Sequence, residues 1–448
     1  MISSKLTIEE AGTASPASPP YLLELPNELV PEENKRMRIR FGQRSQEAVV
    51  SARASAATAR VSPLLRQALL LPDGLPCQFT TAPEEICIGP AIGLLLGEQK
   101  YIYHDKNMSE FTDAMEVYPD IGGLVAAFTA HAIDWESNCV HGLYYRDDEK
   151  RWAYGTFPIP SAVFLRAFKL PSSTIERLMQ ATGGKVFNSV RFSKWEMYQL
   201  LRDHIVLGRH LPETVLASGL DVVLQMLDKH ERIILKPVGL SRARGIFILR
   251  RLDGGHLQVI DYASGSRKRE YVLTQPEWEP FFQEKSVFLR SYIAQPHLPL
   301  AKIKGSPWDV RVVMQKDETF RWQCTGIECR HAGAAEWITN ISRGGRALHL
   351  EKALRLSKVA EQEAERIEGE IARIALAYCE EMDRTGHHFA EFGLDIAVDA
   401  NHHVWLIEAN VRPSFNGFKK MDEALYKRIC GLPLLYAAAL TRTGGEES

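Results

Sequence analysis

Apolar and polar residues alternate most regularly over residues 389–416, near the end of the chain. This alternation predicts two strands that are joined by a tight turn. Because successive side chains of a strand point to opposite faces, Leu406, Glu408 and Asn410 are expected on one face. A two-residue turn would place Asp395 opposite Leu406 and diagonal to Glu408, on that same face. The pattern therefore predicts that two carboxylates and one amide converge on one side of a hairpin.

Upstream, the apolar segments indicate strands that alternate with helices. Residues 86–96 form an apolar run with glycines where a strand would pass into a loop, so a second unit is expected to begin there. Residues 124–128, which follow two glycines, are predicted as a helix, and 140–145 and 151–157 as two strands. Strands that alternate with helical patterns are typical of an open α/β layer.

The second half of the chain contains a clear helix start. Ser193 and Glu196 form a capping box, because the serine can accept a backbone amide and the glutamate can reach back to the serine. We predict helices from this box to about Arg209, over 220–230 and over 357–382. The strands predicted in this half are 232–235, 246–251, 287–293, 309–315 and 320–327.

Composition and charge fit an ordinary globular protein and argue against several functions. The chain has 448 residues, of which 45% are hydrophobic and 25% charged, enough for two to four domains. Its 54 basic and 56 acidic side chains give a net charge of -2, which argues against nucleic acid as a partner. Seven scattered cysteines without a CxxC pair favour the cytoplasm, and no apolar run is long enough to span a membrane.

We predict five segments along the chain. The start is rich in Ser, Ala and Pro and is expected to be disordered. No chemistry can be assigned to the short strand-like pieces that follow it. The predicted division is a disordered tail at 1–20, a small N-terminal module at 21–86, an α/β domain at 87–190, and two further units at 191–292 and 293–448.

The hairpin face is a candidate metal site. Asp395, Glu408 and Asn410 supply oxygen atoms, and Mg²⁺ typically binds one or two carboxylates and leaves its other positions to water and phosphate. The alternative is a half-buried hairpin whose polar face meets solvent, because this spacing also arises by accident.

A strand that ends at Lys236 is followed by a glycine-bearing loop and a second strand. Backbone amides in such a loop, together with Lys236 and Arg244, could hold a polyphosphate. The loop is not a Walker A motif, because that consensus is absent and a strand rather than a helix follows. A basic turn that is exposed to solvent is the alternative.

Arginines beside acidic or glycine-rich positions form a third group of candidates. Asp309 and Arg311 lie two residues apart on a predicted strand and share a face, where they could contact a ribose and a phosphate or form a cross-strand salt bridge. Arg330 and Arg343 could hold a carboxylate or a transferring phosphoryl group. Both could instead belong to an ordinary surface loop.

Seven short motifs give the chain a recognisable order: 88–93 (IGPAIG), 157–160 (FPIP), 192–195 (FSKW), 235–237 (LKP), 307–311 (PWDVR), 338–341 (ITNI) and 408–410 (EAN). In this order the chain resembles an ATP-grasp ligase, and specifically the YheC/YheD family of endospore coat-associated ATP-grasp proteins. The resemblance also extends to the ribosomal S6 modification and glutathione synthetase branch. It implies an ATP-grasp fold of mixed α+β and α/β class. Two α+β subdomains, the units at 191–292 and 293–448, would clasp ATP after an α/β pre-ATP-grasp domain and a small N-terminal β-rich module.

For ATP, the resemblance implies contacts along the whole nucleotide. Lys194 and Lys236 would hold the phosphates, Asp309 would lie near the ribose, and the backbone of a hinge would meet adenine. Leu240 and Ala243 stand where the family usually has glycines, so closure of the phosphate loop is left open. The other implied contacts are Ser241, Arg244 and Gly245 in that loop and Tyr292, Ile293 and Gln295 in the hinge.

For the metal and the acceptor, the resemblance again names particular residues. Asp395, Glu408 and Asn410 would bind magnesium, with Glu408 bridging two Mg²⁺ ions and Mn²⁺ as an alternative metal. Arg412, just after these ligands, is either a substrate contact or a structural residue. The residues that would face the γ-phosphate and the acceptor are Arg311, Arg330, Asn340 and Arg343.

The implied activity is an Mg²⁺-dependent carboxylate–amine ligase that acts through an acylphosphate and releases ADP and phosphate. Its substrates would be an amino acid, a peptide or a polymer linked to the spore coat. The protein would work in the cytoplasm and associate with spore-coat proteins. Two alternatives stay open: an ATP-grasp kinase, and an ATP-binding structural protein of the spore coat without ligase activity.

Overall fold

The structure is a computed structural model that describes nine segments of the chain. Secondary structure, contacts and burial given below refer to these segments. None of their helices is long and apolar enough to cross a membrane. The described residues are 2–10, 19–53, 58–98, 103, 105–239, 245–262, 268–289, 291–331 and 346–442.

The first 89 residues contain a closed barrel of seven strands, which agrees with the predicted β-rich module. The strands are β1 (Ile2–Glu10), β2 (Leu22–Pro26), β3 (Arg36–Phe41), β4 (Arg44–Arg53), β5 (Thr58–Val61), β6 (Pro76–Thr81) and β7 (Glu85–Gly89), with helix α1 (Pro63–Leu69) after β5. The prediction of disorder over 1–20 is wrong for β1. Leu6 and Ile8 alternate with polar residues and are 2% and 3% exposed, so this strand has an apolar face that its overall composition hides.

A second sheet of seven strands follows, with helices on its faces. Its elements are β8 (Ala91–Gly97), α2 (Asp105–Ala114), α3 (Tyr118–Ile121), β9 (Leu124–Thr129), β10 (Ile133–Asp134), β11 (Cys139–Arg146), β12 (Arg151–Pro158), β13 (Ala162–Leu165), α4 (Ser172–Thr182) and β14 (Val186–Phe187). The helix predicted at 124–128 is wrong, because these residues belong to β9. All residues of β9 are buried. A strand that is covered on both faces has a continuous apolar run, which periodicity cannot distinguish from a helix.

The third sheet has six strands in the order β15-β20-β16-β17-β18-β19. The elements of this part are α5 (Lys194–Leu201), β15 (Val215–Leu216), α6 (Leu220–Lys229), β16 (Arg232–Pro237), β17 (Phe247–Arg251), β18 (Leu257–Asp261), β19 (Arg269–Leu273), α7 (Trp278–Glu284) and β20 (Tyr292–Pro296). The capping box at Ser193 and Glu196 is confirmed. Helix α5 ends earlier than predicted, because the ring of His204 accepts the amides of Val206 and Leu207, each at 3.1 Å, and so competes with helical bonding. The strand predicted at 287–293 begins only at Tyr292.

The fourth sheet is antiparallel and contains the predicted hairpin. Its elements are β21 (Lys302–Ile303), β22 (Ser306–Lys316), β23 (Trp322–His331), β24 (Arg346–Leu348), α8 (Leu350–Leu356), α9 (Glu361–Arg384), β25 (Glu391–Val398), β26 (Val404–Asn410), α10 (Asn416–Met421) and α11 (Glu423–Arg442). The main path of the sheet is β24-β23-β22-β25-β26. Residues of α8 and α9 share one apolar core with one face of this sheet. The part of the opposite face that α10 and α11 do not cover is available for polar side chains.

Asn188, just after β14, ties the second sheet to the fourth. Its side chain is fully buried; its amide nitrogen donates to the carbonyls of Glu391 (2.7 Å) and Val411 (2.8 Å). Its side-chain oxygen accepts the amide of Ala390 at 2.9 Å. The backbone of Asn188 has a φ of +58°, a left-handed conformation that asparagine tolerates better than most residues. One side chain thus fixes the start of β25 and the chain just after β26.

Candidate functional site

One face of the fourth sheet carries charged side chains. The strand registers place Glu328, Arg311, Asp395 and Glu408 in a single row across β23, β22, β25 and β26. Directly paired residues of antiparallel strands point to the same face. Asn410 lies two residues after Glu408 on β26 and shares that face. The predicted grouping of Asp395, Glu408 and Asn410 is confirmed, and we call this surface the charged face.

The hairpin reaches this arrangement by a different register from the predicted one. Asp395 lies opposite Glu408 rather than opposite Leu406, because the turn is longer than two residues and a β-bulge follows Asp395. Leu406 pairs with Ile396 and is fully buried in the apolar core. The prediction that Leu406 shares a face with Glu408 is therefore wrong. The bulge reverses the faces to which the side chains after Leu406 point, and it places the carboxylates of Asp395 and Glu408 side by side.

The arginines of the charged face are bound to carboxylates. Arg311 Nε donates to Asp395 Oδ1 at 2.7 Å. Arg330 holds Asp309 with two hydrogen bonds of 2.7 Å, and its Nη2 lies 3.3 Å from Asp395. Burial alone would raise the pKa of Asp395, but the charges of Arg311 and Arg330 keep that pKa below its usual value. The alternative, a cross-strand salt bridge, is formed by both residues: Asp309 pairs with Arg330, and Arg311 pairs with Asp395.

Glu328 is a member of the charged face that the sequence analysis missed. Its Oε2 atom is buried and has no hydrogen-bond partner among the described residues. Burial, opposed by the charges of Arg311 and Arg330, raises the pKa of Glu328 to about 7. The signal that could have found it is its position two residues before Arg330, on the same face of one strand. A buried carboxylate oxygen without a donor is the kind of atom that a cation would satisfy.

Lys194 reaches the charged face from the start of helix α5. Ser193 caps this helix by accepting the amide of Glu196, and Lys194 is the first helical residue. The Nζ atom of Lys194 lies 3.4 Å from Glu408 Oε1. The helix cap therefore places an ammonium group directly beside a candidate metal ligand.

Lys236 belongs to the third sheet but is close to the same charges. Its Nζ donates to Gln295 Oε1 at 2.8 Å, and Gln295 Nε2 donates to Thr214 Oγ1 at 2.8 Å. Burial, and then the positive charge of Lys194, lower the pKa of Lys236 to about 8. The carboxylates of Glu408 and Asp395 oppose this shift. Lys236 is thus close enough to Lys194, Glu408 and Asp395 for their charges to interact.

A sequence profile described as YheC/D-like ATP-grasp matches residues 183–440, which is more than half of the chain. The chain belongs to the YheC/D-like ATP-grasp family. The ATP-grasp fold that the motifs predict is confirmed by this match. The match begins just before β14 and Asn188, and it includes both lysines and the whole charged face.

Relatives and solved structures of YheC/D-like and other ATP-grasp proteins were compared with the chain. It is 26% identical over 375 residues to the endospore coat-associated protein YheD of Bacillus subtilis strain 168, covering 80% of each protein. It is 21% identical to YheC of the same organism over 323 residues, covering 70% of this chain and 88% of YheC. The D-alanine–D-alanine ligase from Coxiella burnetii has a TM-score of 0.46 and 13% identity, over 78% of this chain and 93% of that one. The ATP-grasp ligase PsnB, complexed with a minimal precursor, Mg and ADP, has a TM-score of 0.43 and 16% identity, over 79% and 99%.

The hinge candidates of this YheC/D-like protein lie on β20, next to Lys236. Ile293 is directly opposite Lys236, and Gln295 is opposite Ile234. Tyr292 points away, into the apolar core that includes α6 and α7. At Ile293, strand β20 is paired with a neighbouring strand on each edge, so its backbone is already hydrogen-bonded. The side chain of Ile293 lies on the same face of the sheet as that of Lys236. The contact between the hinge backbone and adenine stays a prediction.

Several predicted contacts cannot be placed. Ser241, Arg244, Asn340 and Arg343 lie outside the described residues, and their roles stay predictions. Gly245 is described and has a φ of +73°, a conformation that glycine adopts without strain. It lies shortly before β17, where the loop after Lys236 returns to the sheet.

Gly393 allows the chain after β26 to approach the charged face. A Cβ atom at this position would lie 2.4 Å from Pro413 Cβ and 3.3 Å from Arg311 Cδ. We expect Gly393→Ala to destabilise the protein by about 1–3 kcal/mol, because the rigid proline ring must move. The measurement is the urea midpoint of unfolding. Gly369→Ala is the matched control: nothing lies within 4 Å of that Cβ position in α9, so it should stabilise the helix by up to about 1 kcal/mol.

Nucleotide binding by this YheC/D-like protein should depend on pH through Lys236. The pKa of Lys236 is about 8 in the free protein, so the ammonium form that would hold phosphate is lost as pH rises above 8. A bound polyphosphate would raise that pKa, which links binding to proton uptake. We expect the affinity for Mg²⁺·AMP-PNP to be constant from pH 6.5 to about 7.5 and to fall by up to about tenfold at about pH 9. Calorimetry across this range checks it, and Lys236→Arg should flatten the decline because arginine does not titrate there.

Proposed function

We propose that this protein is an ATP- and Mg²⁺-dependent ligase that joins a carboxylate to an amine and releases ADP and phosphate. The observation that carries this proposal is the 3.4 Å approach of Lys194 Nζ to Glu408, with Lys236 close enough for their charges to interact. Ammonium groups for phosphates and oxygen ligands for a metal are thus gathered at one place. Phosphoryl transfer needs mainly positioning and charge neutralisation, which this arrangement can provide.

The residues of the charged face fit a magnesium ion. Asp395, Glu408 and Asn410 offer side-chain oxygens on one face, as a hard cation requires. The buried Oε2 atom of Glu328 has no donor within the described segments and adds a further acceptor near this set. When bound with ATP, magnesium would neutralise charge on the phosphates. We propose two Mg²⁺ ions with Glu408 between them, and Mn²⁺ as an ion that could replace them.

Protein side chains beside the candidate metal ligands would hold the nucleotide. Lys194 and Lys236 would each place an ammonium group on phosphate oxygens, and Gln295 would hold Lys236 in position through its 2.8 Å hydrogen bond. The third sheet, which carries Lys236, also has a small apolar cluster that suits the flat ring of a base. Its members are Ile246, Ile248, Ile260 and Tyr262. Ile248 and Ile260 belong to a row with Ile234, two residues before Lys236.

In the proposed reaction, an oxygen of the substrate carboxylate attacks the γ-phosphorus of ATP. The bond from that phosphorus to the bridging oxygen breaks, ADP leaves, and an acylphosphate forms. An amine then attacks the acyl carbon, and phosphate departs as the amide forms and the amine loses a proton. These two steps require no nucleophilic side chain. This agrees with the amino-acid sequence, in which no Ser/His/Asp or Cys/His site is recognisable.

An ADP-release screen over amino acids and peptides, with ATP and Mg²⁺, tests the proposal, and mass spectrometry identifies any product. Hydroxylamine provides the decisive step, because it converts an acylphosphate to a hydroxamate and leaves a phosphoester unchanged. Hydroxamate formation supports the ligase. ADP release with a stable phosphoester would instead identify a kinase. A protein that does not bind Mg²⁺·ATP in calorimetry would exclude both enzymes and leave a structural role.

We further propose that the protein associates with the spore coat. Support comes from the relatives YheD and YheC, each of which is named an endospore coat-associated protein. The test is fractionation of spores that carry a tagged copy of this protein. Recovery in the coat fraction would support association, and recovery only in the cytoplasm of the mother cell or spore core would contradict it.

A further inference from the structure

Two arginines that lie close in sequence to residues of the site have no carboxylate partner among the described residues. Arg412 follows Asn410 by two residues, and Arg191 lies shortly before helix α5. Within the segments that the structure describes, neither takes part in an ion pair. The arginines of the charged face itself, Arg311 and Arg330, are already bound to carboxylates. Arg412 and Arg191 are therefore guanidinium groups that no carboxylate of the described residues neutralises.

Arg412 is held in a fixed orientation by neutral groups. Its Nε donates to the carbonyl of Leu165 at 3.3 Å and its Nη2 to the carbonyl of Asn188 at 3.4 Å. The guanidinium carbon lies 5.6 Å from the centroid of the Phe168 ring, which is 68% exposed. A guanidinium has five N–H donors, so these contacts leave donors for a ligand. The side chain is oriented in advance for an anion.

The surroundings of Arg412 are positively charged. Burial, and then the charges of Arg166 and Arg191, lower the pKa of Arg412 to about 10. Arg166 is itself neutralised, because it lies 2.8 Å from both Glu110 and Glu391. Arg191 is exposed and is close enough to half-buried Arg412 for their charges to interact, so an anion could reach both. Placing an anion there would offset the cost of gathering these charges.

We propose that Arg412 and Arg191 bind a second carboxylate of the substrate that is phosphorylated, so that this substrate is an acidic amino acid or an acidic peptide. This inference rests on the ligase function proposed above. The first carboxylate would lie at the metal ligands, and Arg412 follows the last of these ligands by only two residues. The exposed Phe168 ring would cover the aliphatic part of an acidic side chain.

The test is calorimetry on the full chain saturated with Mg²⁺·AMP-PNP. The probes are triglutamate, its neutral counterpart triglutamine, and free L-glutamate. We expect triglutamate to bind at least about tenfold more tightly than triglutamine, because only triglutamate can form charge-assisted hydrogen bonds. Arg412→Gln and Arg191→Gln should each weaken triglutamate binding by about tenfold or more and leave triglutamine binding unchanged. If free L-glutamate shows the same dependence on Arg412, the acidic ligand is an amino acid; if only triglutamate does, it is a peptide.

The matched control is Arg428→Gln, which removes an exposed arginine from α11 and should change no affinity. If Arg412→Gln fails to fold, Arg191→Gln carries the test, because that side chain is exposed. Equal affinities of the wild type for triglutamate and triglutamine would overturn the inference, as would no binding of either peptide by a protein that binds Mg²⁺·AMP-PNP. Failure to bind Mg²⁺·AMP-PNP would instead overturn the ligase proposal itself.

Discussion

Replacing Glu408 with alanine is expected to reduce ATP-dependent ADP formation by at least about a hundredfold. Glu408 lies opposite Asp395 and 3.4 Å from Lys194, so under the proposed function its removal takes away a metal ligand and the partner of a lysine that would hold phosphate. Changes to residues that merely support metal ligands already cost about 10–100-fold, and loss of a ligand should cost more. The measurement is the initial rate of ADP formation with the best acceptor, at several Mg²⁺ concentrations.

The control for this change is Glu380→Ala, which removes an exposed glutamate from α9 and should leave the rate unaltered. Because Glu408 is half-buried at the surface of the sheet, the variant should fold and keep its circular dichroism spectrum. A variant that retains the parent rate at low Mg²⁺ would show that Glu408 does not bind the metal. Partial recovery at high Mg²⁺ would be the expected signature of a weakened metal site.

The largest expected effect on stability follows from Asn188→Ala. This change leaves the carbonyls of Glu391 and Val411 and the amide of Ala390 without their buried partner. Each unsatisfied buried group costs about 1–3 kcal/mol, so we expect a total loss of at least about 3 kcal/mol. The measurement is the denaturant midpoint, followed by circular dichroism and by intrinsic fluorescence.

The control is Asn138→Ala, which separates the effect of losing these hydrogen bonds from the effect of placing alanine in a left-handed backbone conformation. Asn138 also has a positive φ, of +49°, but its side-chain amide donates only to Gln43, at 3.0 Å. The two variants share the cost of placing alanine in a left-handed conformation, about 1 kcal/mol. Equal losses for Asn188→Ala and Asn138→Ala would show that the buried bonds of Asn188 do not stabilise the fold.

Local patterns in the sequence are sufficient to find the hairpin and the three candidate metal ligands on its face. Alternation of apolar and polar residues identifies the strands, and the two-residue spacing of Glu408 and Asn410 places them on one face. Each of these inferences depends only on residues that are close together in the chain. The capping box before Lys194 could be predicted for the same reason. The order of the motifs then gave the family and hence the ATP-grasp fold.

Features that depend on distant parts of the chain could not be predicted in this way. The bulge after Asp395 is set by pairing across the whole sheet, and the turn alone suggested the wrong partner, Leu406. Glu328 becomes part of the site only because β23 lies beside β22. Asn188 looks like an ordinary loop asparagine, since its partners lie more than 200 residues away. Strand β9 was mistaken for a helix because its burial on both faces is a tertiary property.

Helix α11, the last element that the structure describes, is made long after the strands that it packs against. Its Tyr426 and Leu434 share an apolar core with Ile92 and Val125 of the second sheet. The ribosome therefore makes this layer of the core some 300 residues after the sheet, and α2 and α3 cover only part of the face that carries Ile92 until α11 emerges. Premature termination before α11 would leave part of an apolar sheet face exposed, and such chains should aggregate even though their candidate metal ligands have already been made.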